Sequence, residues 1–293
     1  MTDDGIILAT MTEAIAHIET IDKLSGVIGL PDQIDPAKPT VVILNSGLMH
    51  HVGASRTSVK LSRALVQQGY LVLRFDLSGI GDSAARTDNL DPTERIIQEV
   101  SSALDYLQQN YGSERFVLYG LCSGSQNAFK TALVDKRIIG LAGVDNFGFL
   151  TAKYYLVHYL PKLLDVGHWK SFLGRGIKNL FASAKRIGNN TPVEVEEDPW
   201  PYPPKEFVEN GYGQLVKRGL KFLYIYTGSW AKQYNYLNQF HDMFPSVKFG
   251  NSVELRFKPK MSHSLVEPDS QQFMIETVSE WLKTQTWSDA GTQ

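Results

Sequence analysis

Phe116-Val117-Leu118-Tyr119-Gly120-Leu121-Cys122-Ser123-Gly124-Ser125 reads as a short apolar strand, a tight turn and the start of a helix. Gly120-Leu121-Cys122-Ser123-Gly124 has the spacing of the G-x-S-x-G nucleophile elbow, with sulfur in place of the hydroxyl. Such a turn is sharp, so the residues two before and two after its centre approach other backbone closely. Glycine alone does this without steric cost. Cys122 is the only cysteine in the chain. A lone cysteine is ordinarily a small buried hydrophobe, but this one stands at the centre of the motif, and that placement points to a nucleophile.

Strands and helices alternate on both sides of this stretch, which predicts a mostly parallel sheet covered on both faces. Val41-Val42-Ile43-Leu44 is a buried-strand run followed by the loop Asn45-Ser46-Gly47-Leu48. A helix is expected from about Ser55, a candidate N-cap, to Gln68, with Gly69 as its stop. Leu71-Val72-Leu73-Arg74-Phe75 is the next strand. Asp91-Pro92-Thr93-Glu94 then offers a capping residue, a proline at the first helical position and an acid in the first turn, for a helix ending by Gly112. Ser123 to about Val134 is the helix leaving the elbow, and Ile138 to Val144 is another buried strand.

From about Phe149 to Gly211 the alternation stops. Aromatic-rich helical stretches at Tyr154–Leu164 and from His168 to about Ala184 precede a proline-rich, acidic connector that runs through Pro203-Pro204. The strand rhythm returns at Lys221–Thr227 and Val253–Phe257, and a last helix is expected from about Pro268 to Leu282. Because the sheet resumes, the interruption reads as an insertion. The expected organisation is a core of residues 1–148 and 212–293 with a helical cap at 149–211.

Composition excludes several classes. The chain of 293 residues is 43% hydrophobic with a net charge of −2, so it carries no basic excess to suggest a nucleic-acid partner. No apolar run approaches a membrane span. Met1-Thr2-Asp3-Asp4-Gly5 lacks the basic and apolar regions of a signal peptide. A single cysteine forms no intrachain disulfide, which fits a reducing compartment, and the expected location is the cytoplasm. The seven histidines show no metal-ligand spacing, so neither a metal nor a cofactor is expected.

The chain resembles the α/β-hydrolase superfamily over nearly its whole length. Besides the elbow, Asp76-Leu77-Ser78-Gly79-Ile80-Gly81-Asp82-Ser83 looks like the D-x-x-G-x-G-x-S turn after the fourth strand, and Met261-Ser262-His263-Ser264 stands where the catalytic histidine is usual. Val52-Gly53-Ala54-Ser55-Arg56, the Gly-Leu-Cys-Ser-Gly elbow and His168-Trp169-Lys170 look most like hydrolases associated with exosortase systems. Dienelactone hydrolases and polyhydroxyalkanoate synthases share a cysteine elbow but fit less well in length and other motifs.

The resemblance implies Cys122 as nucleophile and His263 as base. It implies an oxyanion hole from the backbone N–H of Ser123 and of Leu48, with Gly47 adjacent and Asn45 or Ser46 as side-chain assistants. At a helix N-terminus, and beside a histidine, a thiolate is favoured. The acid departs from the family pattern. Its usual place follows the seventh strand, near Thr227-Gly228-Ser229-Trp230-Ala231-Lys232, which has no carboxylate, and Asp242 lies beyond. Asp145, after the sixth strand, preserves the order nucleophile, acid, base. The alternatives are a loop or N-cap role for Asp145 and a Cys–His dyad, since sulfur ionises readily.

Gly47, His50, His51, Tyr154, Trp169 and Trp230 are the candidate substrate-binding residues, with most cap aromatics expected to pack rather than bind. The expected function is acyl transfer through a Cys122 thioester. The expected substrate is an apolar acyl ester or thioester, presented on an acyl carrier protein or coenzyme A in the second case, and the products are those of hydrolysis, transfer or cyclisation. The empty acid position after the seventh strand motivates the alternative, a ligand-binding member of the fold without catalysis.

Overall fold

Successive residues on a strand face opposite sides of the sheet, and the strands here are apolar on both. Val41, Ile43, Val117, Tyr119, Leu223 and Ile225 enter one core, while Val42, Leu118, Phe222, Tyr224 and Tyr226 enter the other. Strands that are buried this way need cover on both faces, which is the physical reason for the layered architecture. The structure is a computed structural model that describes residues 12–19, 23–164 and 203–287.

Its sheet has eight strands: β1 (Thr12–Ile18), β2 (Leu24–Leu30), β3 (Thr40–Ile43), β4 (Val72–Phe75), β5 (Phe116–Leu121), β6 (Ile138–Val144), β7 (Lys221–Thr227) and β8 (Val253–Lys258). Their spatial order is β1-β2-β4-β3-β5-β6-β7-β8, antiparallel at β1–β2 and β2–β4 and parallel from β4 to β8. Five of the six later strands lie within about a residue of their expected bounds, and β5, expected to end at Tyr119, runs two residues further into the elbow. β1 and β2 fall in the first thirty residues, to which the sequence reading assigns no elements. The chain runs one way from β3 to β4, then crosses back over β3 to β5. The carboxyl ends of β3 and β5 therefore flank a topological switch point, where open α/β sheets bind their ligands.

Among the described residues the helices are α1 (Thr57–Gln67), α2 (Pro92–Tyr111), α3 (Ser123–Val134), α4 (Ala152–Leu164), α5 (Lys205–Lys217), α6 (Gln239–Met243) and α7 (Pro268–Thr284). α1 and α7 cover one face, and α2, α3 and α5 cover the other. The Asp91 carboxylate accepts from the N–H groups of Thr93 and Glu94 at the start of α2, and Gly112 closes that helix with φ 67°. Ser55 does not cap α1. A short 3₁₀ turn, Ala54–Arg56, precedes the helix, and Ser55 and Arg56 adopt positive φ of 50° and 62°.

After β6 the chain enters α4, and α5 leads back to β7. Val208, Gly211, Tyr212 and Leu215 of α5 are core residues. The expected cap boundary at residue 211 thus falls inside a helix that packs on the sheet. The expected helix from His168 to about Ala184, and most of the connector after it, lie outside the described residues. Among the described residues, no helix is long and apolar enough to cross a membrane.

Candidate active site

The strand β5 delivers Cys122 to the switch point in a strained backbone conformation, φ 53° and ψ −119°. The flanking hydrogen bonds hold it there: Cys122 N–H donates to the Val144 carbonyl at 2.8 Å, and the Cys122 carbonyl accepts from Ser125 N–H at 3.0 Å. A Cβ on Gly120 would stand 2.2 Å from the Gly124 carbonyl carbon, and one on Gly124 would stand 2.4 Å from the Asn45 carbonyl oxygen. Both glycines are therefore steric requirements of the turn and of its seat against the loop after β3. The thiol is half-buried at the head of α3, whose first N–H groups have no acceptor within the helix.

Asp145 leaves the end of β6 with φ 48° and is fully buried. Its Oδ1 accepts from the Thr227 N–H at 2.7 Å. Its Oδ2 accepts from the Thr227 hydroxyl at 2.6 Å and pairs with His263 Nδ1 at 2.7 Å. His263 comes from the loop after β8, which returns over the sheet and is pinned by Gly228 N–H on the Met261 carbonyl. Donation to the Asp145 carboxylate, with the nearby Cys122 sulfur acting in the same direction, raises its pKa to about 9 against the opposing effect of burial. The structure thus brings Cys122, His263 and Asp145 together in the order thiol, imidazole, carboxylate.

The loop after β3 meets the elbow directly. Ser46–Met49 is a turn closed by Met49 N–H on the Ser46 carbonyl, with Gly47 at φ 54°. Gly47 N–H donates to the Ser123 hydroxyl at 2.7 Å, so the two expected sources of oxyanion donors are tied to each other. The Leu48 side chain is 79% exposed.

Beneath this loop lies a buried polar network. Asp76, at the end of β4, takes Asn45 Nδ2 at 2.9 Å and His51 N–H at 2.6 Å on Oδ1, and pairs with His51 Nδ1 at 2.7 Å on Oδ2. Asn45 Oδ1 in turn accepts from Leu77 N–H at 2.8 Å. Burial by itself raises the Asp76 pKa, but the hydrogen bonds from His51 and Asn45 outweigh it and hold that pKa below the ordinary carboxylate value.

His50, His51 and Asp76 place one ligand-type atom each within 4.8 Å of the others, a grouping that sequence spacing does not reveal. Its donor set fits a metal poorly. His50 Nδ1 accepts from Val52 N–H at 3.3 Å, so the ring proton is on Nε2, directed at Asp76 Oδ2 at 3.4 Å and Asp82 Oδ2 at 3.5 Å. Binding a cation at Nε2 would move that proton to Nδ1, against the Val52 N–H. The cluster is better described as hydrogen-bond scaffolding for the Asn45–Leu48 loop. His51 is accordingly a buried structural residue, while His50 stays partly exposed.

Tyr154 departs from its expected place in the substrate pocket. It is buried, and its hydroxyl donates to the carbonyls of Ala231 at 3.1 Å and Lys232 at 3.0 Å, tying α4 to the loop after β7. Trp230 lies in that loop and stacks on the His263 ring, with centroids 5.0 Å apart and planes 12° apart. Trp169 lies outside the described residues. Asp242 sits on α6 and accepts from the Tyr236 hydroxyl at 2.7 Å. Thr227 and the Ser123 hydroxyl escape the sequence reading. A hydroxyl residue at the end of β7, where the usual carboxylate is missing, is the signal that could have found Thr227.

The family described as serine aminopeptidase, S33 matches residues 36–148, the part of the chain that includes the elbow. The uncharacterized protein YcjY of Escherichia coli K12 is 26% identical over 131 residues, covering 43% of this chain and 42% of that protein, so the match spans less than half of that relative. Among solved structures, the Pyrococcus furiosus esterase Pf2001 is similar with a TM-score of 0.58 at 18% identity, covering 94% of this chain and 91% of its own. The α/β hydrolase GrgF from Penicillium sp. sh18 is similar with a TM-score of 0.60 at 15% identity, covering 94% and 99%. Strand order, elbow and these likenesses together give the chain the α/β-hydrolase fold.

Proposed function

We propose that the protein transfers acyl groups through a thioester on Cys122, with His263 and Asp145 completing a triad. The observation that carries this reading is the 2.7 Å contact between His263 Nδ1 and buried Asp145, with Cys122 near enough to the same imidazole to help raise its pKa. A histidine whose pKa is raised to about 9 is charged at neutral pH. The reactive form of the nucleophile is the thiolate, which such an imidazolium favours.

The thiolate attacks the acyl carbonyl carbon, forming the C–S bond and sending the carbonyl electrons to oxygen. The N–H groups of Ser123 and Leu48 receive that charge, in a loop held by the Ser123 hydroxyl and by Asp76. When the tetrahedral species collapses, the bond to the leaving oxygen or sulfur breaks and His263 gives up its proton to it. Neutral His263 then takes a proton from water or another acceptor, which attacks the thioester. Cys122 departs as thiolate and the ion pair is restored. Thiolate attack on a thioester is close to isoenergetic, which favours an acyl thioester, carried by coenzyme A or an acyl carrier protein, over a plain ester. The observation that motivated a binding-only reading loses its force, because Asp145 meets the histidine from β6.

The test is intact-mass measurement after brief incubation with a medium-chain acyl coenzyme A or a p-nitrophenyl ester. The expected result is a mass gain of one acyl group that is absent in Cys122→Ala, together with loss of nearly all turnover. Saturable binding with no adduct, or full turnover in Cys122→Ala, ends the proposal.

A further inference from the structure

We infer that Trp230 is a positioning residue for His263: its indole, carried on the loop from which an acid would ordinarily come, clamps the imidazole plane between Asp145 and Cys122. The inference rests on the acyl-transfer reading above. The rings are stacked with centroids 5.0 Å apart and planes 12° apart, close enough for the indole face to cover one side of the imidazole and attract its charged form. The indole is itself fixed. Trp230 ends the turn Gly228–Trp230, its carbonyl accepts from Gln233 and Tyr234 N–H at 2.9 Å each, and its Nε1 is buried beside Gly148 without a partner among the described residues. A buried indole N–H left unpaired is unfavourable, so the orientation of the ring serves the face and not the N–H.

The same loop supports the histidine in two ways. Thr227, at its start, fixes both oxygens of Asp145, and Trp230, three residues on, fixes the ring that Asp145 binds. The loop that lacks an acid therefore holds one borrowed from β6. Without the indole, one face of the imidazole opens to water, the ring gains freedom about its Cβ–Cγ bond, and the ion pair with Cys122 weakens. The other groups that bear on His263 are Asp145 from β6 and Cys122 from the elbow. The Asp145 charge is also felt by buried Tyr119 on β5, and Glu267 accepts from Ser262 within the loop of His263 itself.

The experiment compares wild type with Trp230→Phe, Trp230→Leu and His263→Gln, using readouts that need no substrate as well as turnover. Cys122 alkylation by iodoacetamide at pH 7 is expected to fall about tenfold in Trp230→Leu, which fills space without an aromatic face, and to stay near wild type in Trp230→Phe. Tryptophan emission of the wild type is expected to titrate with an apparent pKa near 9, following the imidazolium against the indole, and to lose that step in His263→Gln. Turnover in Trp230→Leu should fall in kcat with KM little changed, since a residue that only lined the pocket would raise KM. If alkylation slows in His263→Gln while Trp230→Leu matches wild type, the Trp230 assignment is overturned and the acyl-transfer reading stands. If His263→Gln alkylates like wild type, there is no ion pair to position and both readings fall.

Discussion

Asp145 is held by three donors, two from Thr227 and one from His263, and each of its oxygens has a distinct task. Asp145→Asn separates charge from shape. The amide oxygen can still accept the Thr227 N–H, and the amide nitrogen then faces both the Thr227 hydroxyl, which can turn to accept, and His263 Nδ1. That nitrogen donates, so the imidazole must accept at Nδ1 and carry its proton on the side of Cys122. This is the wrong tautomer for an ion pair. In serine triads the same substitution costs about ten-thousand-fold in turnover. A cysteine, which ionises more readily, should lose less, on the order of ten- to a thousand-fold, with folding unchanged. Acylation rates followed by mass spectrometry measure this, and an unchanged rate would reduce the site to a Cys–His dyad.

At the scale of elements, the elbow was the most legible feature, because its chemistry is local. Two glycines flank one nucleophile between an apolar strand and a helix start, and the reason for each glycine is a backbone contact. The α2 cap at Asp91 was equally readable, since a cap is decided within four residues. The pairings between elements were not. Gly47 with the Ser123 hydroxyl, Asp76 with His51, and Trp230 with His263 join residues from different loops, and no local pattern announces them. The contrast can be tested. Gly124→Ala drives a Cβ into the Asn45 carbonyl, so the head of α3 and the Asn45–Leu48 loop must part, at about 1–3 kcal/mol as for other overpacked sites, and acylation should fall sharply. Asp91→Ala, away from the site, should cost about 1 kcal/mol and leave acylation alone. Urea denaturation gives both energies. Equal loss of acylation in the two variants would mean that the seat of the elbow on the Asn45 loop has no bearing on the chemistry.

Across the whole molecule, the site is also part of the fold, because His263 closes a contact between the loop after β8 and the end of β6. Its pKa is raised from about 6.5 to about 9, so the folded state holds the proton more tightly than the unfolded chain. The sign follows from linkage: the stabilisation is fully present below about pH 6.5 and is lost as pH rises through about 9. On the acid side the order reverses. Glu13, lowered by the Arg63 hydrogen bond, and Asp76, held down by His51 and Asn45 against its burial, stabilise the fold above their ordinary range and lose that effect as pH falls. Stability should therefore decline on both flanks for different reasons, and only the alkaline flank belongs to the active site. Urea midpoints of wild type and His263→Gln, taken from pH 6 to pH 10, isolate it. The wild type should lead at pH 6.5 and the gap should narrow through pH 9, whereas the acid decline should be common to both proteins. Curves that stay parallel across the alkaline range would show that the His263–Asp145 contact does not bind the proton more tightly in the folded state, and the ion-pair form of the mechanism would lose its footing with it.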